Sequence, residues 1–292
     1  MTAQLLDGTA FAEAMKADLN ARVKTLRELG VVPGLGTILV GDDPSSAAYV
    51  RRKHLACAEI GIESFHREFP ADITMDVLLA AIAELNADPA VDGFLVQVPL
   101  PKPLDDAAAL RAVDPTKDVD GLHPVNLGLL VMGVDAPQPC TAAGIQALLV
   151  HYGIPIEGKH VVIVGRGLTI GRPLANLLTL KRPNANAAVT VVHTGVADLG
   201  RYTREADIVI SAAGSPGIIQ PDMVKPGAVV VSGGQTFTAG RTLLPDVDES
   251  VGEVASWITP RLGGVGPTTI VMLLRNTVEA AERRAQRSGV TA

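Results

Sequence analysis

Residues 159–173, with the sequence KHVVIVGRGLTIGRP, constrain the fold of this chain more than any other segment. The apolar residues 161–164 predict a buried strand, which runs directly into Gly165, Arg166 and Gly167. A strand that feeds a glycine turn at a helix start presents free backbone N–H groups and a helix dipole to an anion. The segment therefore predicts a dinucleotide phosphate site. The alternative is a tight strand–helix turn without a ligand, since the spacing G-x-G-x-x-x-G is one residue longer than the usual fingerprint.

The next strand indicates which dinucleotide is bound. Residues 188–194, AVTVVHT, predict the second strand of a nucleotide-binding unit. An NAD-preferring site often carries an acidic residue at the end of this strand, whereas this chain has His193 and Thr194 there. The guanidinium of Arg166 can pair with a 2′-phosphate. The sequence therefore favours NADP, and the alternative for Arg166 is a solvated side chain at the turn.

Composition excludes several classes of protein. A chain of 292 residues is long enough for about two domains. A net charge of −6 and a single Trp argue against a nucleic-acid partner. No apolar run reaches the ~18–20 residues of a membrane span, and residues 1–19 carry acids without an apolar signal core, so we expect a cytoplasmic protein without a membrane partner. Cys57 and Cys140 have no metal-ligand spacing, so we expect no metal and two small buried thiols.

Strands and helices alternate along the chain, which predicts two α/β domains with mainly parallel sheets. Pro137 and Pro139 interrupt the pattern before a helix. We therefore predict one domain formed by residues 1–139 with residues 272–292, and a Rossmann-type nucleotide domain formed by residues 140–271. Helices are predicted at residues 8–29, 45–60, 75–85, 142–152 and 268–287, and strands at residues 35–40, 64–69, 93–98, 161–164 and 188–194.

Polar residues cluster near the predicted strand ends of the first domain, where ligands of open α/β sheets bind. Tyr49 and Lys53 lie four residues apart on one helix face. They are either a candidate functional pair or a surface lysine whose stem lies over the tyrosine ring. Gln97, within the apolar run GFLVQV, is either a satisfied core amide or a site residue. Asp118 and Asp120, in the loop DPTKDVDG, are candidate ligands or solvated acids.

Six sequence blocks occur in the order and spacing of a known family. The chain resembles the bifunctional methylenetetrahydrofolate dehydrogenase/methenyltetrahydrofolate cyclohydrolase family along nearly its whole length. The blocks that carry this resemblance are VGDDPSSAAYVRRKHLACAEIGI, GFLVQVPLP, DPTKDVDGLHPVNLG, PCT, GRGLTIGRP and TPRLGGVGPTTIVMLLRNT.

The resemblance implies a fold, a reaction and an assembly. The fold is two α/β domains with a cleft between them, and the assembly is a homodimer joined through the nucleotide domains. The reaction is the oxidation of 5,10-methylenetetrahydrofolate with NADP⁺, followed by hydrolysis of the methenyl product to 10-formyltetrahydrofolate. Lys53 matches the family's catalytic lysine, with Tyr49 beside it and Gln97 hydrogen-bonded nearby.

The resemblance also assigns binding residues. Asp120 matches the carboxylate that anchors the pterin ring. Pro267 matches a residue that lines the folate cleft together with Gly263 and Gly264. The cofactor residues implied by the matching motifs are Gly165, Arg166 and Gly167 for the phosphates, Thr194 for the 2′-phosphate and Gln235 beside the cofactor.

Several departures from the family pattern fall mainly on the dehydrogenase side. Gly167 replaces a usual serine, Ser232 a usual aspartate and Gln235 a usual isoleucine. These changes make cofactor affinity and NADP preference less secure than the cyclohydrolase chemistry. Two alternatives therefore stay open: a nicotinamide-dependent dehydrogenase of another small substrate, and a nucleotide-binding scaffold without activity. The first leaves YVRRK, LVQVPLP and KDVDG unexplained, and the intact set of Tyr49, Lys53, Gln97 and Asp120 argues against the second.

Overall fold

The computed structural model describes residues 3–237 and 243–290 of this chain, which divide into two compact units. The six-stranded unit contains the described residues up to Ala12, residues 130–134 and residues 139–269. The three-stranded unit contains residues 13–129, residues 135–138 and the described residues from Ile270 onward. Each unit has its own parallel sheet, so the predicted α/β fold is confirmed.

Helices and strands alternate as the sequence pattern predicts. In the described part of the chain, no helix is long and apolar enough to cross a membrane. The strands are β1 (Gln4–Leu5), β2 (Gly34–Val40), β3 (Glu63–Phe69), β4 (Gly93–Val96), β5 (His160–Val164), β6 (Ala188–Val192), β7 (Ile208–Ser211), β8 (Val229–Ser232), β9 (Gln235–Phe237), β10 (Leu243–Pro245) and β11 (Trp257–Ile258). The helices are α1 (Gly8–Glu28), α2 (Pro44–Ile60), α3 (Met75–Ala87), α4 (Asp106–Ala112), α5 (Pro124–Met132), α6 (Cys140–His151), α7 (Gly171–Thr179), α8 (Gly200–Thr203) and α9 (Val265–Arg287), with short 3₁₀ turns at Pro221–Met223 and Glu249–Glu253.

The six-stranded sheet has the order β1-β11-β8-β7-β5-β6, and every pairing in it is parallel. Strands β7 and β8 are fully buried, which explains their unbroken apolar sequences. Parallel strands end at the same edge of a sheet. Gly165 follows β5, while Ser211 and Ser232 end β7 and β8. This edge is where ligands of open α/β sheets bind.

The three-stranded sheet has the order β3-β2-β4 and is also parallel. Its central strand β2 is buried throughout, and α2 follows it. Asp43 is the N-cap of α2, because its carboxylate accepts a hydrogen bond of 2.8 Å from the Ser46 N–H. The core of this unit includes Ile38, Leu78 and Phe94, each fully buried. Helix α2 itself buries Val50, Cys57 and Ile60, so the helix that carries Lys53 is fixed at both its start and its inner face.

Two predicted strands are shorter than the sequence pattern indicates. Strand β4 ends at Val96, although the Gln97 N–H still donates to the Ile38 carbonyl at 2.9 Å. Pro99 has no N–H, so the ladder cannot continue past this point. Strand β6 ends at Val192 rather than at Thr194. In both cases the polar candidate residue lies just beyond the strand rather than in it.

The N-terminal segment differs from the predicted domain division. Strand β1 pairs with β11, so the segment up to Ala12 packs with the six-stranded unit instead of with residues 13–129. The Tyr152 hydroxyl donates to the Asp7 carbonyl at 3.0 Å in the same unit. A strand of two residues carries no periodic signal, which is why the sequence pattern does not place it.

Candidate active site and cofactor site

Lys53 lies on the buried face of α2 in the three-stranded unit. The side chain of a lysine is rarely buried without a partner, yet this residue is only 4% exposed. Its Nζ donates a hydrogen bond of 3.1 Å to Oε1 of Gln97, which lies just after β4. A single amine is thus held at the carboxyl edge of the three-stranded sheet by a residue from a second element.

Tyr49 lies one helical turn before Lys53 and contacts it. Lys53 Nζ is 4.6 Å from the centroid of the Tyr49 ring, and Arg52 Cζ is 5.3 Å from the same centroid. A cation over the face of an aromatic ring is stabilised by the ring quadrupole. The i, i+4 spacing of the sequence therefore becomes a direct contact that restricts the position of the amine.

Gln97 is a satisfied amide that orients the lysine. Its Nε2 donates to the Val98 carbonyl at 2.9 Å, so its Oε1 is the atom turned towards Lys53. The amide is therefore hydrogen-bonded, as one of the two interpretations from the sequence requires, and it contacts the candidate catalytic group.

Neighbouring titratable groups on α2 are held neutral. Burial, followed by the charges of His66 and Lys53, lowers the pKa of His54. Its Nε2 lies 3.0 Å from the hydroxyl of Thr37, and that hydroxyl is 2.8 Å from His66 Nδ1. Burial raises the pKa of the Cys57 thiol to about 12, so it is no nucleophile near pH 7.

The two candidate acids of the loop DPTKDVDG, Asp118 and Asp120, have different surroundings. Asp118 is buried and accepts hydrogen bonds from the Gly121 N–H at 3.0 Å, the His123 N–H at 2.8 Å and Asn126 Nδ2 at 2.9 Å. The solvated-acid interpretation is therefore wrong for Asp118, which holds the loop in shape. Asp120 is only half-buried. The spacing Asp-x-x-Gly, typical of a side chain that caps a turn, is the signal that distinguishes Asp118.

The glycine turn of the six-stranded unit requires glycine at its first position. Gly165 has φ of +124°, and a Cβ built on it would lie 2.2 Å from the Ala212 carbonyl oxygen. The next two residues, Arg166 and Gly167, are exposed. Helix α7 begins at Gly171 without a side-chain cap, and the Arg172 N–H of its first turn donates to the Gly167 carbonyl at 3.1 Å. This combination fits the phosphates of a dinucleotide, as the sequence predicts.

The residues assigned to the 2′-phosphate follow neighbouring strands. Strands β5 and β6 pair in register from His160 with Ala188 to Val164 with Val192. Arg166 and Thr194, each two residues beyond its strand, are both exposed at this edge of the sheet. A guanidinium and a hydroxyl there provide donors, and His193 accepts a hydrogen bond from the Gly195 N–H at 3.0 Å rather than adding an acid.

The remaining predicted residues also lie in the six-stranded unit. The Gly263 carbonyl accepts a hydrogen bond of 3.0 Å from Thr9, and Gly264 is buried. Pro267 is half-buried in the first turn of α9. The backbone of Gln235 belongs to β9, but its side chain lies outside the described residues.

The structure thus brings the predicted residues together in two groups. Lys53 contacts both Tyr49 and Gln97 in the three-stranded unit, and Asp120 belongs to the same unit. The glycine turn, Thr194, Gly263, Gly264 and Pro267 belong to the six-stranded unit. Sequence reasoning missed His54, and it considered Asp118 only as a candidate ligand or a solvated acid, not as the residue that holds the loop. Among the described residues, no group of three or more His, Cys, Asp or Glu side chains has the arrangement of a metal site.

Both parts of the chain match profiles of one family. Residues 6–120 match "Tetrahydrofolate dehydrogenase/cyclohydrolase, catalytic domain", and residues 139–285 match "Tetrahydrofolate dehydrogenase/cyclohydrolase, NAD(P)-binding domain". The chain is 62% identical over 289 residues to the bifunctional protein FolD of Syntrophotalea carbinolica, covering 99% of both proteins.

Solved structures agree with these matches. The bifunctional FolD of Campylobacter jejuni has a TM-score of 0.92 and 43% identity, covering 97% of this chain and 99% of that one. The methylenetetrahydrofolate dehydrogenase-cyclohydrolase of Trypanosoma brucei, complexed with NADP cofactor and inhibitor, has a TM-score of 0.92 and 39% identity, covering 98% and 99%. The chain belongs to the tetrahydrofolate dehydrogenase/cyclohydrolase family, and it is an enzyme that oxidises 5,10-methylenetetrahydrofolate with NADP⁺ and hydrolyses the methenyl product to 10-formyltetrahydrofolate.

Proposed function

We propose that Lys53 moves the protons of the cyclohydrolase step, with Gln97 and Tyr49 as the groups that orient its amine. The observation that carries this proposal is the hydrogen bond of 3.1 Å from the buried Lys53 to Gln97. The pKa of the Cys57 thiol is raised to about 12 and His54 Nε2 lies 3.0 Å from the Thr37 hydroxyl, so neither group takes the place of the lysine beside Gln97.

The hydrolysis needs proton transfer at two points. Water adds to the methenyl carbon between N5 and N10 and loses one proton, which the amine of Lys53 accepts. The C–N5 bond then breaks, the carbon keeps its oxygen as the formyl group on N10, and N5 receives a proton. The sum is one water consumed and one proton released. A single positioned group that moves protons in this way supplies ~10²–10⁴-fold of rate.

The dehydrogenase step depends on positioning. When bound, NADP⁺ accepts the hydride of the methylene carbon. We assign the turn at residues 165–167 and the start of α7 to its phosphates, because Arg166 and Gly167 are exposed and the helix start has no side-chain cap. Arg166 and Thr194 are assigned to the 2′-phosphate as a cation and a hydroxyl donor. The side chain of Gln235 is assigned to the cofactor by its position in the motif.

We assign the folate ligand to residues that do not take part in proton transfer. Asp120 is half-buried beside the ordered Asp118, so its carboxylate can accept paired N–H donors from the pterin edge. Gly263, Gly264 and Pro267 are assigned to the folate by motif position. In this arrangement one acid shapes the loop and the other binds the substrate.

The resemblance to the family supports two further proposals. We propose that the chain is a homodimer joined through its nucleotide-binding units, and that it acts in the cytoplasm. Sedimentation velocity at several protein concentrations tests the first. A single species with the mass of one chain at every concentration would contradict it, whereas a species of twice that mass would support it.

A direct assay tests the assigned cofactor preference. Formation of the methenyl product from 5,10-methylenetetrahydrofolate is followed by its absorbance with NADP⁺ and with NAD⁺ in parallel. We expect a higher kcat/KM with NADP⁺, since no carboxylate follows β6 to repel a 2′-phosphate. Equal values for the two cofactors would contradict the roles given to Arg166 and Thr194. Hydrolysis of added methenyltetrahydrofolate, measured without either cofactor, isolates the second step.

A further inference from the structure

A buried carboxylate lies beneath the loop that follows β7. Asp246, directly after β10, is fully buried. Its Oδ2 accepts hydrogen bonds from the Ser211 hydroxyl at 2.8 Å, the Ala213 N–H at 2.8 Å and the Gly214 N–H at 3.1 Å. Its Oδ1 accepts one from the Ser215 N–H at 2.8 Å. One side chain therefore binds three consecutive backbone N–H groups and the side chain that ends the strand.

Such an arrangement demands a close match between the carboxylate and the loop. A buried charge costs much free energy unless hydrogen bonds compensate it, and hydrogen bonds to a charged acceptor are among the strong ones. The four donors to Asp246 provide this compensation without a cation. The backbone of residues 213–215 is consequently restricted to one conformation, with its N–H groups turned inward.

Gly234 leaves the space that the carboxylate occupies. A Cβ built on Gly234 would lie 2.0 Å from Asp246 Oδ2 and 2.7 Å from the Gly214 nitrogen. The backbone N–H groups of Gly233 and Gly234 also donate to the Ser211 carbonyl, at 2.7 and 3.0 Å. The backbone segments that follow β7 and β8 thus both pack against the carboxylate of Asp246.

The loop held by Asp246 is also the wall of the glycine turn. The Ala212 N–H donates to the Val164 carbonyl at 2.7 Å. A Cβ on Gly165 would lie 2.2 Å from the Ala212 carbonyl oxygen and 3.1 Å from the Ala213 nitrogen. Because these distances leave no free space, a shift of the loop must be accompanied by a shift of the turn.

We infer that Asp246 is a positioning residue for cofactor binding, which acts through residues 212–215 on the glycine turn. The inference rests on the proposed function, namely that residues 165–167 hold the cofactor phosphates. Asp246 stays buried beneath the loop and touches no ligand in this role. It sets the backbone against which Gly165 packs, and thereby the direction of the N–H groups that bind phosphate.

The test replaces Asp246 by asparagine, which keeps the shape but turns one acceptor oxygen into an N–H₂ donor that faces other donors. We expect the KM for NADP⁺ in Asp246→Asn to rise about tenfold or more. Hydrolysis of methenyltetrahydrofolate consumes no NADP⁺, so its rate is expected to stay at the wild-type value. Asp248→Asn is the matched control, because Asp248 caps a 3₁₀ turn through Ser250 and not the loop at residues 213–215.

Ser211→Ala provides a milder variant of the same interaction. It removes only the hydroxyl donor, so the KM for NADP⁺ is expected to rise about threefold, less than in Asp246→Asn. A parallel loss of hydrolysis and of NADP⁺ affinity in Asp246→Asn would mean a general role in stability and would overturn the inference. An unchanged KM for NADP⁺ would also overturn it. Arg166→Ala separates the two proposals: if that variant loses NADP⁺ affinity while Asp246→Asn does not, the cofactor site stands and the positioning role fails.

Discussion

The two units of this enzyme hold their functional groups in opposite ways. In the three-stranded unit the candidate catalytic groups are side chains gathered around Lys53, which is 4% exposed and 3.1 Å from Gln97. In the six-stranded unit the candidate cofactor groups are a backbone turn and the exposed side chains of Arg166 and Thr194. A function that depends on one buried side chain is lost when that side chain is replaced. A ligand held by several backbone N–H groups keeps most of its contacts when one side chain is replaced. We therefore expect single substitutions to act more strongly in the first unit.

This contrast also explains where the chain departs from its family. The unusual residues Gly167, Ser232 and Gln235 all lie in the six-stranded unit. A phosphate held by backbone N–H groups keeps those contacts when a neighbouring side chain changes. No backbone contact can replace the side chains of Tyr49, Lys53 and Gln97. These three residues match the family pattern.

The largest expected effect is that of Lys53→Met. Methionine keeps the length and the packing of the chain but has no proton to transfer. We expect hydrolysis of methenyltetrahydrofolate to fall by ~10²–10⁴-fold, since that is the usual contribution of one positioned acid or base. The rate is measured by the loss of methenyl absorbance, with folding checked by circular dichroism.

Lys24→Met is the matched control for this variant, because Lys24 is an exposed lysine of α1 in the same unit. It should hydrolyse the substrate at the wild-type rate. A well-folded Lys53→Met enzyme with unchanged hydrolysis would remove Lys53 from the mechanism.

Arg166→Ala tests the other side of the comparison. A guanidinium paired with a 2′-phosphate contributes about 1.5–3 kcal/mol, so kcat/KM for NADP⁺ should fall roughly ten- to a hundredfold. NAD⁺ lacks that phosphate, and its kcat/KM should change much less. Arg201→Ala, at an exposed arginine of α8, is the control. Equal losses for both cofactors would place Arg166 on the shared pyrophosphate and weaken the NADP assignment.

Asp120→Ala is expected to act on folate alone. Loss of charge-assisted hydrogen bonds should weaken folate binding by roughly tenfold or more while NADP⁺ binding stays nearly unchanged. Titration of each ligand measures the two affinities. Asp118→Ala is the instructive comparison, because removing three buried hydrogen bonds should lower the Tm as well. If Asp120→Ala loses both ligands equally, the loop is structural and the substrate contact is elsewhere.

The sequence predicts the fold better than it predicts the residues that position the functional groups. Apolar periodicity places α1, α2 and β5 within a few residues, because each buries a continuous face. It does not place β1, since a two-residue strand has no period and is defined only by its pairing with β11. Long periodic elements are therefore readable from local sequence, whereas short ones depend on distant partners.

The same limit applies to functional residues. Lys53 and Tyr49 are predictable as a pair because they are four residues apart on one helix. The contact of Lys53 with Gln97 joins residues from two elements, and only the family motif indicates it. Asp246 has no local signal at all, since its four partners lie more than thirty residues away. Positioning residues that bind backbone groups at a distance become visible only in the folded chain.

The smallest expected effect is a gain, from Gly167→Ser, and it tests whether the six-stranded unit is tuned by single hydroxyls. A Cβ on Gly167 meets no atom within 4 Å, and its backbone lies outside the left-handed region, so serine fits without strain. The hydroxyl that the family usually has at this position can then donate to a phosphate oxygen. One such hydrogen bond contributes about 0.5–1.5 kcal/mol, so the KM for NADP⁺ should fall by roughly two- to tenfold.

Hydrolysis of methenyltetrahydrofolate should not change, because Lys53 and Gln97 belong to the other unit. An equal fall in the KM for NAD⁺ would place the hydroxyl on the shared pyrophosphate. A KM for NADP⁺ that stays the same or rises would show that the backbone alone sets phosphate affinity. The two units would then differ more than the family pattern suggests, because one would bind its ligand through backbone groups and the other would act through a few side chains.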